Sequence, residues 1–379
     1  MRFLHTADWH IGKQLHGFSL LEEQQDAYQQ LRQIAQEENV DAMVIAGDLY
    51  DRKVPSEDAV NCLNGMLVDL NRQLKMPVLA ISGNHDSATR LSTGQEWFSA
   101  TDFYLNTTIK QSLTPVVMGN TQFFLLPYFE PHQVRETFHD ESIRTVQDGM
   151  TSILSEMTQR FDADKRHVLV AHFFAAGSTH TDSETLVEVG GLNAIPVDQL
   201  SAFDYVALGH LHRKEALNEA TVKYSGSPLK FSTSEAEDVK GCWIVDTETN
   251  PVTVTFRAIT PLHDLVILKN SYDQLMDPNQ TFNVRPTDYV AIQLTDSAPI
   301  PNVMEDLKRR FPQIIELTRV NPRQLTTPSQ TVEQIKQNPT ELLSDFYHQV
   351  TGEKLSVNQK DWAASALVKA EGELGNATY

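Results

Sequence analysis

Five short polar clusters follow apolar runs of the sequence, and their side chains are of the types that bind metal ions. They combine carboxylate, imidazole and amide groups, without a cysteine among them. Oxygen and imidazole ligands suit Mn, Fe or Zn, and the absence of thiolates disfavours a structural zinc site. The clusters are Asp8-Trp9-His10, Gly47-Asp48, Gly83-Asn84-His85-Asp86, Ala171-His172 and Gly209-His210-Leu211-His212.

The balance of ligand types favours two metal ions over one. Two metals about 3.5–4 Å apart need a shared anion, and a carboxylate can bridge them. His210 and His212 are two residues apart, so on a regular strand both would face the same side. Near a strand end they could reach different metals of a compact pair.

Each cluster taken alone has an ordinary structural explanation. An Asp-x-His sequence is typical of a loop, Gly-Asp of a turn, and His-x-His of an edge strand. His172 by itself would be interpreted as a satisfied core histidine. The recurrence of ligand types at five predicted strand ends favours a dinuclear metal site over a series of independent turns.

The elements that position the clusters form a β-α-β-α-β pattern, which predicts an α/β fold with helices packed on a layered sheet. Ligands in open α/β sheets lie beyond the carboxyl ends of the strands, where these clusters fall. Apolar stripes at helical spacing predict helices over residues 20–39 and from residue 55 to 74. The apolar runs predict strands at 2–7, 41–46, 78–81, 167–171 and 205–208.

The rest of the first 261 residues is less regular. Short alternating runs within residues 101–130 predict edge strands, residues 143–161 a helix, and residues 175–196 a loop. Three later runs predict antiparallel strands that close a second sheet. They span residues 221–225, 241–245 and 252–259.

The pattern changes after about residue 262, and we divide the chain there. Residues 1–261 form one large predicted domain and residues 262–321 a small α+β unit. Residues 322–338 are polar and proline-containing, which suits a linker. Residues 339–379 predict two helices, and Ser356 with Gln359 matches a capping box for the second.

Composition limits the classes of function. The chain has 31 Lys and Arg against 50 Asp and Glu, a net charge of -19. This charge argues against a general polyanion-binding surface, so a protein acting on DNA would need local basic groups, cations or a partner. Cys62 and Cys242 give no disulfide framework and suit a reducing compartment. We see neither a signal peptide nor a membrane span, so we expect a soluble, cytoplasmic protein.

In this order, the five clusters resemble the calcineurin-like metallophosphoesterase superfamily, whose pattern is Asp-x-His, Gly-Asp, Gly-Asn-His-Asp/Glu, His and Gly-His-x-His. Residues 4–12, 46–52 and 204–212 are more similar to one branch of it, the nuclease subunits that act with a coiled-coil ATPase. The resemblance covers nearly the whole chain. It implies a four-layer β-sandwich flanked by helices, a small capping domain that binds DNA, and C-terminal helices that bind the partner.

The resemblance also implies a reaction and its residues. The activity would be hydrolysis of DNA phosphodiesters in DNA end processing, repair, recombination and replication, as a double-strand 3′→5′ exonuclease and a single-strand and hairpin endonuclease. His85 would contact the scissile phosphate or protonate the leaving oxygen, and Asp86 would orient it. Many relatives have histidine where this chain has Asp51, so that residue's role is not transferred. Two Mn²⁺, with Mg²⁺ or Fe²⁺ as alternatives, would bind Asp8, His10, Asp48 and His212 at one site and Asp48, Asn84, His172 and His210 at the other.

The resemblance suggests the partner contacts, and the DNA contacts are predicted from position near the motif loops. Apolar residues of the C-terminal helices would bind the base of the ATPase coiled coil, or would pack on this chain's own core. The implied assembly is a homodimer within a heterotetramer, away from membranes. The partner-binding residues would be Leu342, Leu343, Phe346, Tyr347, Val350, Trp362 and Leu367. Candidates for phosphate contacts, or else ordinary solvated charges, are Lys13, His16, Arg52, Lys53, Arg90, Arg213, Lys214 and Lys230.

Two other functions remain open at this point. The chain could be a metallophosphoesterase of small phosphate esters or nucleotides, which equal activity on a nucleotide ester and on DNA would support. It could also be a non-enzymatic scaffold with an eroded site, which failure to bind two metals would support. The small capping unit and the C-terminal helices argue against the first alternative, and the intact ligand set against the second.

Overall fold

A computed structural model of the chain describes residues 1–184, 194–320, 339–351 and 353–375. The strands of these residues are β1 Arg2–Thr6, β2 Gln14–Leu15, β3 Phe18–Ser19, β4 Ala42–Ile45, β5 Val78–Ile81, β6 Phe103–Asn106, β7 Val116–Met118, β8 Thr121–Leu126, β9 Arg166–His172, β10 Tyr205–Gly209, β11 Val222–Tyr224, β12 Gly241–Asp246, β13 Thr253–Ala258, β14 Leu265–Asn270, β15 Tyr289–Leu294 and β16 Ile314–Arg319. The α-helices are α1 Leu21–Glu37, α2 Glu57–Val68, α3 Ala88–Leu91, α4 Gln95–Phe98, α5 Ile109–Ser112, α6 Pro131–Phe138, α7 Val146–Thr158, α8 Tyr272–Met276, α9 Val303–Arg310, α10 Pro339–Thr351 and α11 Val357–Gly375.

Two sheets carry the clusters. The first has six strands in the order β13-β12-β1-β4-β5-β6, and the second has five in the order β11-β10-β9-β8-β7. Strands β1, β4, β5 and β6 are parallel, as are β8, β9, β10 and β11. The carboxyl ends of several strands in each sheet therefore meet along a common edge.

Side chains of successive residues point to opposite faces of each strand, and here both faces are buried. Phe3 and Val44 of the first sheet pack with Phe123 and Tyr205 of the second. The opposite face of the first sheet packs on α1 and α2, and that of the second packs on α6 and α7. These layers confirm the α/β fold that the sequence pattern predicts and the four layers that the resemblance implies.

The two helices of the first half begin as their sequences predict, and α1 also packs as predicted, whereas Val60 of the predicted α2 stripe is 41% exposed. Along α1, Ala27, Leu31 and Ile34 are buried on one face. At the start of α2, the Ser56 hydroxyl accepts a hydrogen bond from the Ala59 N–H at 3.3 Å, which caps the helix. A π-helical turn, Asp69–Gln73, continues α2 toward β5.

The placement of three later strands corrects the sequence prediction. Strand β12 pairs antiparallel with β1, and β13 pairs with β12, so both belong to the first sheet instead of closing the second. Strand β11 does join the second sheet, but in parallel with β10. Strand β8 is also no edge strand, because it lies between β7 and β9 and all its residues are buried. Both sheets have an open edge to which a strand can be added. An apolar run predicts a strand but does not specify which of these edges the strand joins.

The chain divides into two compact units. The first comprises Met1–Leu268, Thr281–Ile292 and Lys308–Glu316, and the second Lys269–Gln280, Gln293–Leu307 and Leu317–Tyr379. The boundaries predicted at residues 261 and 321 remain a prediction, and the predicted linker at 322–338 lies outside the described residues. A third sheet has the order β14-β15-β16. None of the described helices combines the length and apolar character that a membrane crossing requires.

In the second unit, α10 and α11 are joined by a hydrogen bond from the Gln359 amide to the Tyr347 hydroxyl at 3.3 Å. The Ser356 N–H donates to the Gln359 side chain at 2.9 Å, and the Gln359 N–H donates to the Ser356 hydroxyl at 3.4 Å. This reciprocal pair is the capping box that the sequence predicts for the second helix.

Candidate metal centre

The backbone of β1 and β4 continues into the site as a hydrogen-bonded pair of loops. The Asp8 N–H donates to the Gly47 carbonyl at 3.0 Å, and the His10 N–H donates to the Asp48 carbonyl at 2.9 Å. These bonds fix the first two clusters side by side. The third follows β5, the fourth is the last residue of β9, and the fifth follows β10.

Four of the predicted ligands adopt left-handed backbone conformations. The φ angles are 53° for Asp8, 45° for His10, 50° for Asp48 and 95° for His210. Positive φ is uncommon and costly for residues other than glycine, and such residues concentrate at functional sites. These conformations therefore cost backbone stability, and they orient the four side chains toward one site.

Two glycines let the strands approach closely enough to bring the ligands together. A Cβ atom at Gly83 would overlap the Asp48 carboxylate, and one at Gly209 would overlap the Ala46 carbonyl and crowd the His172 ring. This close approach explains why glycine precedes the ligands in these clusters.

A first group of ligand atoms comes from the loops after β1 and β10. Asp8, His10 and His212 are all buried and their ligand atoms lie close enough together to hold one ion. The Nε2 atoms of His10 and His212 are 3.2 Å apart. Asp8 accepts two hydrogen bonds from the His210 N–H, at 2.9 and 3.1 Å, which fix its carboxylate.

A second group surrounds His172. Its Nε2 atom is 3.0 Å from the Asn84 amide oxygen and 3.2 Å from an Asp48 carboxylate oxygen. The His210 Nδ1 atom is 3.1 Å from the same Asn84 oxygen. Asp8, Asp48 and His172 form a further set able to hold one ion.

Asp48 lies between the two groups. The same oxygen that is 3.2 Å from His172 is 3.6 Å from the His10 Nε2 atom. Asp48 therefore lies where the predicted bridging role would place it. The carboxylate that belongs to both of the sets given above, however, is Asp8. The seven side chains predicted as ligands are thus brought together, and their oxygen and imidazole donors suit a pair of divalent cations.

Charge is distributed unevenly among these side chains. Burial raises the pKa of Asp8 to about 7, against the opposing effects of His172 and His212. Burial alone would lower the pKa of His172, but the Asp48 carboxylate raises it to about 9. Burial opposes ionisation of Asp48 as well, yet His172 and His10 hold its pKa well below the usual range. Burial lowers the pKa of His210 to about 3.

His85 lies beside the first group, with its ring centroid 4.7 Å from that of His10. Its Nδ1 atom is 2.9 Å from the Asp51 carbonyl oxygen, and its backbone N–H donates to Asp48 at 2.8 Å. Because a carbonyl oxygen can only accept, Nδ1 carries the proton of this bond. Asp51, whose role the sequence left open, therefore orients His85 through its backbone.

Asp86 joins backbone groups of two loops, and its predicted role of orienting His85 stays a prediction. Its carboxylate accepts hydrogen bonds from the N–H groups of Leu49, Tyr50 and Gly83, at 3.0, 2.9 and 2.9 Å. It therefore ties the loop after β4 to the loop after β5, which carries His85. Burial and the nearby Asp48 raise the pKa of Asp86 to about 7, against the three N–H donors.

The predicted DNA contacts fall into two sets. Lys13 lies 3.0 Å from Asp51, Arg213 lies 2.9 Å from Asp238, and Lys230 lies 2.7 Å from Asp264. Lys214 forms an ion pair with Glu215 and lies over the Phe256 ring. The second set, His16, Arg52, Lys53 and Arg90, is exposed, although Arg52 also forms an ion pair with Asp51 at 3.3 Å.

Sequence reasoning missed a polar network behind His212. Its Nδ1 atom is 2.6 Å from the Ser183 hydroxyl, which is 2.5 Å from Glu235. The Glu184 carboxylate accepts from the His212 N–H at 2.7 Å. Lys240 lies 2.5 Å from Glu235. A glutamate five residues before a lysine is not a motif, so only the assembled fold reveals the network.

Comparison with known proteins places this arrangement among characterised groups. The model of the calcineurin-like phosphoesterase family matches residues 1–214, and that of the Type 5 capsule protein repressor C-terminal domain matches residues 261–351. The chain is 34% identical to the SbcD subunit of nuclease SbcCD from Staphylococcus epidermidis, over 95% of this chain and 96% of that protein. It is 31% identical to the subunit of the same name from Staphylococcus saprophyticus, over 95% and 96%. A dimetal phosphatase from Danio rerio aligns at 12% identity and a TM-score of 0.41, covering 68% of this chain and 96% of that one.

Proposed function

Because the chain belongs to the calcineurin-like phosphoesterase family and, within it, to the family of SbcD nuclease subunits, we propose that it is a nuclease that hydrolyses the phosphodiester bonds of DNA. The observation that carries the proposal is the convergence of seven ligand side chains from five strand ends, with His85 beside them. The finer activities proposed are 3′→5′ exonuclease on double strands and endonuclease on single strands and hairpins.

We assign separate roles in the reaction to the seven ligands, to His85 and to Asp86. Two divalent cations held by the seven ligands would supply a water of lowered pKa and neutralise charge on the phosphate. His85 commits its Nδ1 proton to the Asp51 carbonyl, so Nε2 is the atom from which it donates a proton to the leaving oxygen. Asp86 holds the two loops that carry His85 and Asp48 in register.

Manganese is the metal we propose, with Mg²⁺ or Fe²⁺ as alternatives. The imidazole-rich ligand set is the argument, because Mg²⁺ prefers oxygen ligands whereas imidazole suits transition metals.

The exposed cations near the site are proposed to contact DNA phosphates. Arg52 directly follows Asp51, whose carbonyl holds His85, and the Arg52 side chain is 61% exposed. His16, Lys53 and Arg90 are also exposed. Phosphate contacts position the strand without reading its sequence. Lys13, Arg213 and Lys214 are half-buried and ion-paired, and their predicted phosphate contacts stay a prediction.

The C-terminal helices are proposed to bind the SbcC ATPase at the base of its coiled coil, as helices laid into a groove. The side chains of Phe346 and Trp362 are 54% and 72% exposed, and Leu343 is 37% exposed, which supports contact with a partner. The side chains of Leu342, Val350 and Leu367 lie outside the described residues. A homodimer of this chain within a heterotetramer, and a cytoplasmic location, are part of the same proposal.

The partner proposal is tested by a pull-down of SbcC with the double variant Phe346→Ser, Trp362→Ser. Both side chains are exposed, so the variant should fold, and binding should be lost. Val239→Ser, another exposed apolar side chain at 54%, is the matched control and should bind normally. Retained SbcC binding by the double variant would contradict the assignment.

The nuclease proposal is tested on three substrates with Mn²⁺ or Mg²⁺: a 5′-labelled hairpin-ended duplex, a circular single strand and bis-p-nitrophenyl phosphate. Wild type, with SbcC and ATP where needed, should cut both DNAs with Mn²⁺, and the circle should be opened by the endonuclease activity. Asp48→Asn should lose cutting, whereas the exposed Asp140→Asn control should keep it. Hydrolysis of the small ester with no DNA cutting, with or without SbcC, would favour a small-ester phosphoesterase instead.

A further inference from the structure

A charged pair is buried behind the metal centre, outside the set of predicted ligands. Glu235 is 0% exposed and Lys240 is 7% exposed, and their Oε2 and Nζ atoms are 2.5 Å apart. A buried ion pair contributes little net stability once its desolvation is counted. The hydrolytic chemistry described above uses neither residue, so the pair needs another explanation.

The contacts of Lys240 show what the pair is attached to. Besides Glu235, its ammonium group donates to the His212 carbonyl at 2.8 Å and to the Ser227 hydroxyl at 3.1 Å. An ammonium group so close keeps Glu235 in its ionised form, which can only accept hydrogen bonds. Glu235 accepts from the Ser232 hydroxyl at 3.0 Å and lies 2.5 Å from the Ser183 hydroxyl.

These constraints fix the direction of the hydrogen bonds that reach His212. Since Glu235 can only accept, the Ser183 hydroxyl must donate to it. The Ser183 oxygen then presents a lone pair to the His212 Nδ1 atom at 2.6 Å, so Nδ1 must carry a proton. The remaining nitrogen, Nε2, is left without a proton and faces the His10 Nε2 atom at 3.2 Å.

We propose that Ser183, Glu235 and Lys240 form a positioning relay that fixes His212 with Nε2 deprotonated and aimed at the metal site of Asp8 and His10, and thereby sets the affinity of that site. The inference rests on the proposed function, because it assumes that His212 is a metal ligand. A ligating histidine commonly donates its other ring N–H to a group behind it, and this bond fixes its tautomer in the same way. None of the three residues is a ligand, and none is assigned a contact with substrate.

Replacing Glu235 with Gln tests the direction of the hydrogen bonds that link Glu235, Ser183 and His212. The ammonium group of Lys240 would attract the Gln carbonyl oxygen, which leaves the NH₂ group facing Ser183. That NH₂ group donates, so the Ser183 hydroxyl turns its proton toward His212 Nδ1, and the proton of the imidazole moves to Nε2. Ser183→Ala removes the relay while leaving the ion pair intact, and Ser183→Thr keeps a hydroxyl at the same position.

The experiment measures equilibrium binding of Mn²⁺ by calorimetry, and the coupling of the two ions by electron paramagnetic resonance. Wild type should bind two ions as a coupled pair. Ser183→Ala and Glu235→Gln should weaken one of the two sites by about 10- to 100-fold and lose the coupled signal at matched metal concentrations. Ser183→Thr should retain both. Ser112→Ala, at a buried serine whose hydroxyl donates to the Ile109 carbonyl, is the control for loss of a buried hydroxyl.

Two outcomes separate this inference from the nuclease proposal. If Ser183→Ala and Glu235→Gln bind both ions with wild-type affinity, the relay is wrong, whatever the activity on DNA. If wild type binds two coupled ions but cuts no DNA, the proposed function is contradicted while the weakened binding by the variants still supports the relay. Ser183→Ala alone decides the question should Glu235→Gln not fold.

Discussion

The Nδ1 atom of His172 donates a hydrogen bond to the carbonyl oxygen of Ala46 at 2.8 Å, and this bond joins the two sheets at their carboxyl edges. His172 ends β9 in the second sheet, and Ala46 directly follows β4 in the first. Because Nδ1 is committed to this carbonyl, the Nε2 atom is the one that faces Asp48 and Asn84. The sandwich itself thus orients a ligand of the candidate metal centre.

Metal binding should release protons and should strengthen as pH rises. In the metal-free protein, the pKa of His172 is about 9 and that of Asp8 is about 7, so at pH 7 the first is protonated and the second is half protonated. A cation must displace these protons. Calorimetry in buffers of different ionisation enthalpy should therefore give about 1–2 protons released at pH 7.

The same measurement at higher pH checks the direction in which proton release and Mn²⁺ affinity change. Proton release should fall and Mn²⁺ affinity should rise as pH approaches about 9, the pKa of His172. An affinity that does not change between about pH 6.5 and about pH 9 would contradict the predicted protonation of the metal-free site.

Replacing Gly83 with Ala should abolish binding of the metal pair. The added Cβ would overlap the Asp48 carboxylate and its backbone N–H, so the loops after β4 and β5 would be forced apart. Overpacking of this kind costs about 1–3 kcal/mol of stability. Gly65→Ala in α2 is the matched control, because nothing lies within 4 Å of its added Cβ. Wild-type Mn²⁺ binding by Gly83→Ala would show that the close approach of the loops is unnecessary.

His5 should make the protein less stable in acid. Its ring is fully buried between the Tyr205 hydroxyl and the Leu208 carbonyl, and burial lowers its pKa from the usual 6.5 to about 3. The unfolded chain therefore binds a proton that the folded chain does not in the window from about pH 6.5 to about pH 3. The contribution of neutral His5 is complete above this window and is lost as pH falls through it.

His5→Gln removes this titration while keeping an acceptor for Tyr205 and a donor for Leu208. Urea unfolding at about pH 7, 5 and 4 should show a smaller loss of unfolding free energy for the variant, corresponding to about one fewer proton taken up on unfolding. Identical pH dependence of the two proteins would contradict the assigned protonation of His5.

The convergence of the ligands could be predicted from sequence because parallel strands place their carboxyl ends along one edge. Once Asp8, Asp48 and Asn84 are assigned to the ends of successive strands, their proximity follows from the topology. The sheet that β12 joins could not be predicted from sequence, because its pairing with β1 depends on which open sheet edge it meets. The contacts of Asp86 and of Ser183 are also beyond the reach of sequence, since both depend on how separate loops meet in space.

His85 is proposed as the group that acts on the phosphate when this chain cuts DNA at the metal centre. The most direct measurement is Mn²⁺-dependent cleavage of the 5′-labelled hairpin duplex by His85→Ala, with metal content determined on the same preparation. The variant should keep two bound ions and lose activity by about 10²–10⁴-fold, as expected for removal of a general acid. His132→Ala, at an exposed histidine of α6, should behave as wild type. Cutting by His85→Ala at the wild-type rate with both ions bound would contradict the account.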